Sequence, residues 1–303
     1  MIGVDWGTTS LRAYRLDAAG AVLERRESAR GILSVPRGGF PAVLDAQIRP
    51  WLDDGEALVL LCGMVGSRQG WKEAPYLPCP AGPAEIADAL VPAPLPLPGT
   101  ARCLLVPGLS TRGPEGVPDV MRGEETKLVG LLAELGDAPA TLCLPGTHSK
   151  WARLEGGRIA GFATRMTGET RAVLLEHSIL GRLAAPAAPG GPSDGAFRRG
   201  LRRSRDRGGL LHHLFGTRAL GLAGELAPEE TDDYLSGLLI GHEVRAAIED
   251  GAAAPAGAAV HLAGSDTLCR LYGLALEEYG VRHLRHDPEI AARGLHLIGA
   301  TLR

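Results

Sequence analysis

The sequence predicts an α/β protein made of two similar halves, and three observations carry that expectation. The tetrapeptide pattern G-T-x-S occurs twice, at Gly7-Thr8-Thr9-Ser10 and at Gly146-Thr147-His148-Ser149. Each copy follows a short apolar strand and precedes a hairpin whose turn carries glycine. Continuous apolar runs alternate with segments of helical spacing, as in folds that pack helices on sheets. The chain has 303 residues, 45% of them hydrophobic, enough for two cores at roughly 100–200 residues per domain.

Taken in order, Met1–Asp5 reads as a strand, Leu11–Leu16 as an alternating strand, and Ala21–Arg26 as its hairpin partner across the turn Asp17–Gly20. Phe40, Val43, Leu44, Ile48 and Leu52 have helical spacing. Ala57–Cys62 is a continuous apolar strand that ends in the glycine loop GMVGS. Ala84–Val91 looks helical, the proline-rich 92–98 stretch is a connector, Cys103–Val106 is a strand and Glu124–Leu135 a helix. At Thr141 the scheme restarts: strand Thr141–Leu144, loop PGTHS, then strands Trp151–Leu154 and Arg158–Arg165. Helices are expected over Glu169–Leu183, Leu235–Asp250, Ser265–Tyr279 and Asp287–Ala300, a loop over 184–195, and strands over Ala259–Leu262 and Val281–Arg285. Duplicated βββαβα halves facing each other across a cleft would be an actin-like architecture, with domains 1–137 and 138–303.

Composition narrows the class. A net charge of −3 offers no general polyanion-binding surface. The one dense basic run, Phe197–Gly209, reads as a solvated helix face and loop. Five cysteines, odd in number and without a C-x-x-C pair, argue against a disulfide framework or a zinc site. The opening MIGVDWG runs straight into a strand without a leader pattern, and no uncharged apolar run reaches about 18 residues. A soluble cytoplasmic protein without nucleic-acid or membrane partners is expected, and a homodimer is compatible with the sequence.

Five motifs carry chemistry. In Asp5-Trp6-Gly7-Thr8-Thr9-Ser10, a glycine turn presents amides and small hydroxyls to an anion, and Asp5 can hold hydrated magnesium. An ordinary hairpin with a buried aspartate is the plainer alternative. Gly146, Thr147, His148, Ser149 and Lys150 offer a second cradle, with Lys150 as a point charge. Neither loop fits a P-loop or a dinucleotide-binding turn. Gly264, Ser265 and Asp266 follow a strand and open a helix, where an adenosine could rest on the backbone or Ser265 could simply cap the helix. In Arg122-Gly123-Glu124-Glu125, a carboxylate could take a proton from an attacking hydroxyl and the arginine could pair with an acid, although acidic helix starts are common. Met64, Gly66 and Ser67, followed by Trp71 and Tyr76, supply an open loop and flat surfaces suited to a sugar, unless the aromatic rings only pack the loop down.

Together these stretches resemble the 2-dehydro-3-deoxygalactonokinase family, in DWGTTSLRAYRL, GMVGSRQGWKEAPYL, VMRGEETKLVG, LPGTHSKWARL, RMTGETRAVLLEHSILG, LSGLLIGHEV and LAGSDTL. The resemblance implies two actin-like domains with ribonuclease-H-like cores. It implies ATP and magnesium as cofactors and phosphoryl transfer to the 6-hydroxyl of 2-dehydro-3-deoxy-D-galactonate. Asp5, Gly7, Thr8, Thr9 and Ser10 in the first loop and residues 146–150 in the second would then hold phosphates, Gly264–Asp266 the adenosine, and Met64, Gly66, Ser67, Trp71, Tyr76 and Arg122 the acceptor. Glu124 or Glu125 would be the base, and Arg165, Thr167 and Glu169 further site residues. The rival expectations are a kinase of this fold for another sugar or sugar acid, and a nucleotide-gated ATPase that works through a protein partner.

Overall fold

The computed structural model describes residues 1–94, 102–186, 191–251, 257–287 and 289–302. Parts of the expected 92–98 connector and of the expected 184–195 loop lie outside them.

The first half opens with β1 (Ile2–Trp6), β2 (Leu11–Leu16) and β3 (Val22–Ser28), then α1 (Phe40–Asp53), β4 (Leu58–Cys62), β5 (Tyr76–Pro78), α2 (Pro83–Asp88), β6 (Val91–Pro92) and β7 (Arg102–Leu105). A six-stranded sheet has the order β3-β2-β1-β4-β7-β6. Strands β1, β4 and β7 run parallel, while β2 pairs antiparallel with β1 and with β3. Strand β4 needs no polar face because it sits centrally: Val59, Leu60, Leu61 and Cys62 are all buried. The core lies between Ile2, Val4 and Trp6 of the sheet and Phe40, Leu44, Ile48 and Trp51 of α1.

Strands β5, β8 (Gly108–Arg112) and β9 (Pro118–Met121) form a separate three-stranded sheet in the order β5-β8-β9. It does not follow from the sequence pattern, since its strands are short and carry proline. It pairs Tyr76 with Gly108 and Leu109 with Met121, which brings Tyr76 close to the chain at Arg122. Helix α3 (Glu124–Leu135) follows. The expected 84–91 helix is shorter than its spacing suggests, because Val91–Pro92 leaves it to pair antiparallel with β7.

The second sheet has the order β12-β11-β10-β13-β14 and repeats the central order of the first. Its strands are β10 (Ala140–Leu144), β11 (Ser149–Glu155), β12 (Arg158–Arg165), β13 (Val260–Leu262) and β14 (His283–Arg285), with β10, β13 and β14 parallel. This order, met twice, is that of the ribonuclease-H-like core, so the chain is a duplicated actin-like fold. Helices α4 (Thr167–His177), α5 (Asp194–Ser204), α6 (Gly209–Leu222), α7 (Thr231–Glu249) and α8 (Asp266–Glu278) complete this half. Helix α5 carries much of the arginine run and buries Ala196, Phe197, Gly200 and Leu201 on its opposite face. The expected 169–183 helix ends at His177, and a short 3-10 turn covers Gly181–Leu183.

Two compact units result: Met1–Pro139 with Ala152–Phe162 and Asp287–Arg303, and Ala140–Trp151 with Ala163–His286. Helix α9 (Ile290–Ala300) comes last in sequence yet belongs to the first unit, where it crosses α3 closely. A methyl group at Gly130 would overlap the Ile290 carbonyl, and one at Gly294 the Thr126 carbonyl, so these glycines set the crossing distance. No helix of the described residues is long and apolar enough to cross a membrane.

Candidate active site

In the first unit three chain segments meet at the carboxyl ends of parallel strands. The hairpin after β1 is closed by the Gly7 amide donating to the Ser10 carbonyl at 2.9 Å, which leaves Thr8 and Thr9 exposed at its tip. The turn is held from behind, where Ile32 and Leu33 donate to the Gly7 and Thr8 carbonyls at 3.0 and 3.2 Å. Asp5 is half-buried, with the Cys62 thiol 4.0 Å from its Oδ1. Gly63 ends β4 at φ 91° and Gly123 precedes α3 at φ 103°, both in the left-handed region that suits glycine. A Cβ on Gly63 would come within 2.8 Å of the Trp6 carbonyl, and one on Gly123 within 3.0 Å of the Gly63 Cα. These tight approaches bring the start of α3 to Asp5.

The two glutamates there differ sharply. Glu125 is fully buried; its Oε2 accepts from the Gly123 amide at 2.6 Å and its Oε1 from the Thr126 hydroxyl at 3.2 Å. Burial, reinforced by the charge of Glu124, pushes the Glu125 carboxyl up to about 8, against the pull of its backbone hydrogen bonds and of Arg122. Glu124 is half-buried and accepts from the Arg122 amide at 3.1 Å.

Arg122 is buried, and its Nη2 donates to the Ala74 carbonyl at 2.7 Å. Its guanidinium lies 4.3 Å from the centre of the Tyr76 ring. Gly66 backs it so closely that a Cβ there would be 3.2 Å from Nη1. Ser67 lies in the same loop, and its hydroxyl is buried without a hydrogen-bond partner among the described residues. Trp71 and Met64 are drawn inward instead. Trp71 stacks on Phe40 with ring centres 6.3 Å apart, and both residues pack against the unit's core.

In the second unit the loop after β10 is shorter than its motif. Gly146, Thr147 and His148 form the turn, whereas Ser149 and Lys150 already belong to β11. The Ser149 hydroxyl is buried, 2.8 Å from the Tyr272 hydroxyl and 3.3 Å from Glu243. Glu243 also accepts from Trp151 Nε1 and from the Tyr272 hydroxyl, each at 2.7 Å, and burial pushes its carboxyl upward. Lys150 is buried and donates to the His148 carbonyl at 3.2 Å. Ser149 and Lys150 are thus engaged within the unit and anchor the loop.

The start of α4 covers that loop. Glu169 donates its amide to the Thr147 carbonyl at 3.0 Å and its carboxylate pairs with His148. Gly168 permits the approach, since a Cβ there would sit 2.6 Å from the Gly146 carbonyl. Thr167 hydrogen-bonds Glu243, and Arg165 pairs with Asp250 at 2.8 Å.

Beside the loop lies a cavity of about 480 Å³, bounded by Gly146 and Thr147, Gly168 and Arg171, Asp232 and Ser236, and Leu268 and Leu271. Its size falls in the range of small-molecule sites. Arg171 grips Asp232 and Ser236 across it. Ser265 caps α8 by accepting from the Leu268 amide at 3.4 Å, and both Ser265 and Asp266 are exposed. The next turn of that helix, Thr267–Leu271, lines the cavity in their place. Arg171, Asp232 and Ser236 escape sequence reasoning because the two helices that bring them together start 64 residues apart, at 167 and 231.

Residues 5–298 match the model of the family described as 2-keto-3-deoxy-galactonokinase. A protein of Rhizobium meliloti (strain 1021) named probable 2-dehydro-3-deoxygalactonokinase DgoK1 is 39% identical over 292 residues, 96% of this chain and 93% of that protein. The 2-dehydro-3-deoxygalactonokinase of Escherichia coli (strain K12) is 38% identical over 244 residues, 80% of this chain and 78% of its own length. A crystal structure of a protein given the same enzyme name, from Sinorhizobium meliloti, superposes with a TM-score of 0.85 at 38% identity, covering 100% of this chain and 98% of that one. On fold, motifs and these matches together, the chain belongs to the 2-keto-3-deoxy-galactonokinase family.

Proposed function

We propose that this protein transfers the terminal phosphoryl group of ATP to the 6-hydroxyl of 2-dehydro-3-deoxy-D-galactonate, giving the 6-phosphate and ADP in galactonate catabolism. The observation that carries the reading is the family match over residues 5–298. The turns at residues 7–10 and 146–148 take the phosphate oxygens on amides and hydroxyls. The cavity between Arg171 and α8 takes the nucleoside. In this reading Ser149 and Lys150 hold the second turn rather than meeting phosphate directly.

Glu124 is the base. It accepts the hydroxyl proton as the O6–P bond forms and the bond from phosphorus to ADP breaks. The choice of Glu124 over Glu125 rests on Glu125 being sealed in the unit and holding its proton at neutral pH. Asp5 fits a hydrated magnesium ion, as a single half-buried carboxylate with the Cys62 thiol 4.0 Å from its Oδ1. Magnesium there would neutralise phosphate charge. Met64 and Trp71 support the acceptor loop from within, and Gly66, Ser67, Tyr76 and Arg122 face the acid.

Release of ADP, followed over a panel of 2-keto-3-deoxy acids, aldoses and amino sugars, tests the proposal. Turnover confined to the keto-deoxy acids supports it. Equal turnover without any sugar, and no phosphorylated product, would replace it with a nucleotide-gated ATPase.

A further inference from the structure

Arg122 poses a question that the fold does not answer by itself. It is 8% exposed, and both Nε and Nη1 lack a hydrogen-bond partner among the described residues. A buried cation left with open donors carries a desolvation cost that native structures rarely tolerate without a reason. The neighbouring acids do not fill those donors, although Glu125 feels the arginine's charge. Glu125 spends its oxygens on the Gly123 amide and the Thr126 hydroxyl, and Glu124 accepts from the Arg122 main chain. The Ser67 hydroxyl is in the same condition, buried and unpartnered. Meanwhile the guanidinium is firmly placed: the Ala74 carbonyl holds Nη2, Gly66 backs Nη1, and the Tyr76 ring lies over its face. A pre-positioned cation with two open donors, in a region that also holds an unused hydroxyl, is suited to receive an anion.

We infer that Arg122, assisted by the Ser67 hydroxyl, receives the C1 carboxylate of the acceptor and makes this enzyme selective for sugar acids over neutral sugars, with Tyr76 as the cover that moves to admit it. The inference rests on the proposed kinase reading and assigns the group that reads the acid. Tyr76 suits the role of cover because it is 42% exposed while the atoms beneath it are closed to water. A carboxylate entering there recovers the lost hydrogen bonds, whereas a carboxamide or alcohol of the same shape leaves the charge uncompensated.

The test compares 2-dehydro-3-deoxy-D-galactonate with its C1 carboxamide as acceptors, for the parent enzyme and for Arg122→Gln, Ser67→Ala, Tyr76→Ala and Tyr76→Phe. The parent should favour the acid in kcat/KM by on the order of 100-fold, the scale of a buried charge pair. Arg122→Gln should lose most of that preference through a raised KM for the acid, with the KM for ATP unchanged. Ser67→Ala should lose on the order of tenfold, the lower end of the scale for one hydrogen bond to a charged group. Both Tyr76 variants should keep the preference, since the donors remain. Full preference retained in Arg122→Gln and Ser67→Ala overturns the inference, as does its loss in Tyr76→Ala alone. If Arg122→Gln fails to fold, Ser67→Ala still decides. If the parent turns over neither compound, calorimetric binding of the acid reads Arg122 directly, and the kinase proposal is what falls.

Discussion

Replacing Glu125 with glutamine separates the two glutamates at the start of α3 by a measurement independent of turnover. The folded state holds this carboxyl at about 8, against an ordinary 4.5, because the group is fully buried. Between those values the folded protein keeps a proton that the unfolded chain has released, so the unfolded state binds fewer protons and stability falls as pH rises. Each pH unit inside the window costs about 1.4 kcal/mol, so raising the pH from about 5 to about 8 removes roughly 4 kcal/mol through this one group. Glutamine keeps an oxygen for the Gly123 amide and offers an NH₂ that the Thr126 hydroxyl can accept, and it does not ionise. Urea unfolding of parent and Glu125→Gln at both pH values reads the difference. The variant should gain on the parent by several kcal/mol at the higher pH and retain most of its turnover. A stability difference that does not change with pH would refute the buried, protonated assignment and would return Glu125 as a candidate base.

Four further outcomes follow from the geometry. Glu124→Gln should lower kcat by at least about 100-fold, the usual worth of a general base, with ATP affinity retained on calorimetric titration. Gly168→Ala pushes a methyl at the Gly146 carbonyl and the Thr147 Cα, so the KM for ATP should rise roughly tenfold, about 1.4 kcal/mol, while the KM for the acid stays put. Glu243→Ala strands the buried Trp151 Nε1, leaves the Ser149 and Tyr272 hydroxyls with only each other, and should destabilise the protein by about 3 kcal/mol in denaturant melts. Removal of magnesium by a chelator should abolish turnover, and Asp5→Asn should raise the magnesium concentration needed to restore it.

The strand-and-helix frame was readable wherever burial imposes a period. Val59–Cys62 is apolar because β4 is covered on both faces, and Phe40, Leu44 and Ile48 mark the inner stripe of α1. The repeated G-T-x-S located both turns. Its last residue misled in the second copy, because Ser149 turns inward to Glu243 and Tyr272, partners 94 and 123 residues away. The small sheet β5-β8-β9 was invisible, as its strands are three to five residues long and pair non-locally. Helix α6 was missed too: Leu211, Phe215 and Leu222 are exposed and only His213 and Thr217 are buried, so its apolar residues do not mark an inner face. Arg122 and Tyr76 were each readable as acceptor-side candidates, but the stacking that places one over the other depends on the β5 and β9 pairings with β8. Trp71 follows the alternative that the sequence left open, an aromatic ring near a glycine loop that packs against the core.

The chemical identity of the product decides whether this protein is the proposed kinase. Incubating the protein with ATP, magnesium and 2-dehydro-3-deoxy-D-galactonate, then locating the phosphate by phosphorus–proton correlation NMR, addresses it directly. One phosphate ester on the C6 oxygen for every ADP formed is the expected result. ADP accompanied by free phosphate, or an ester at any other oxygen, would contradict it.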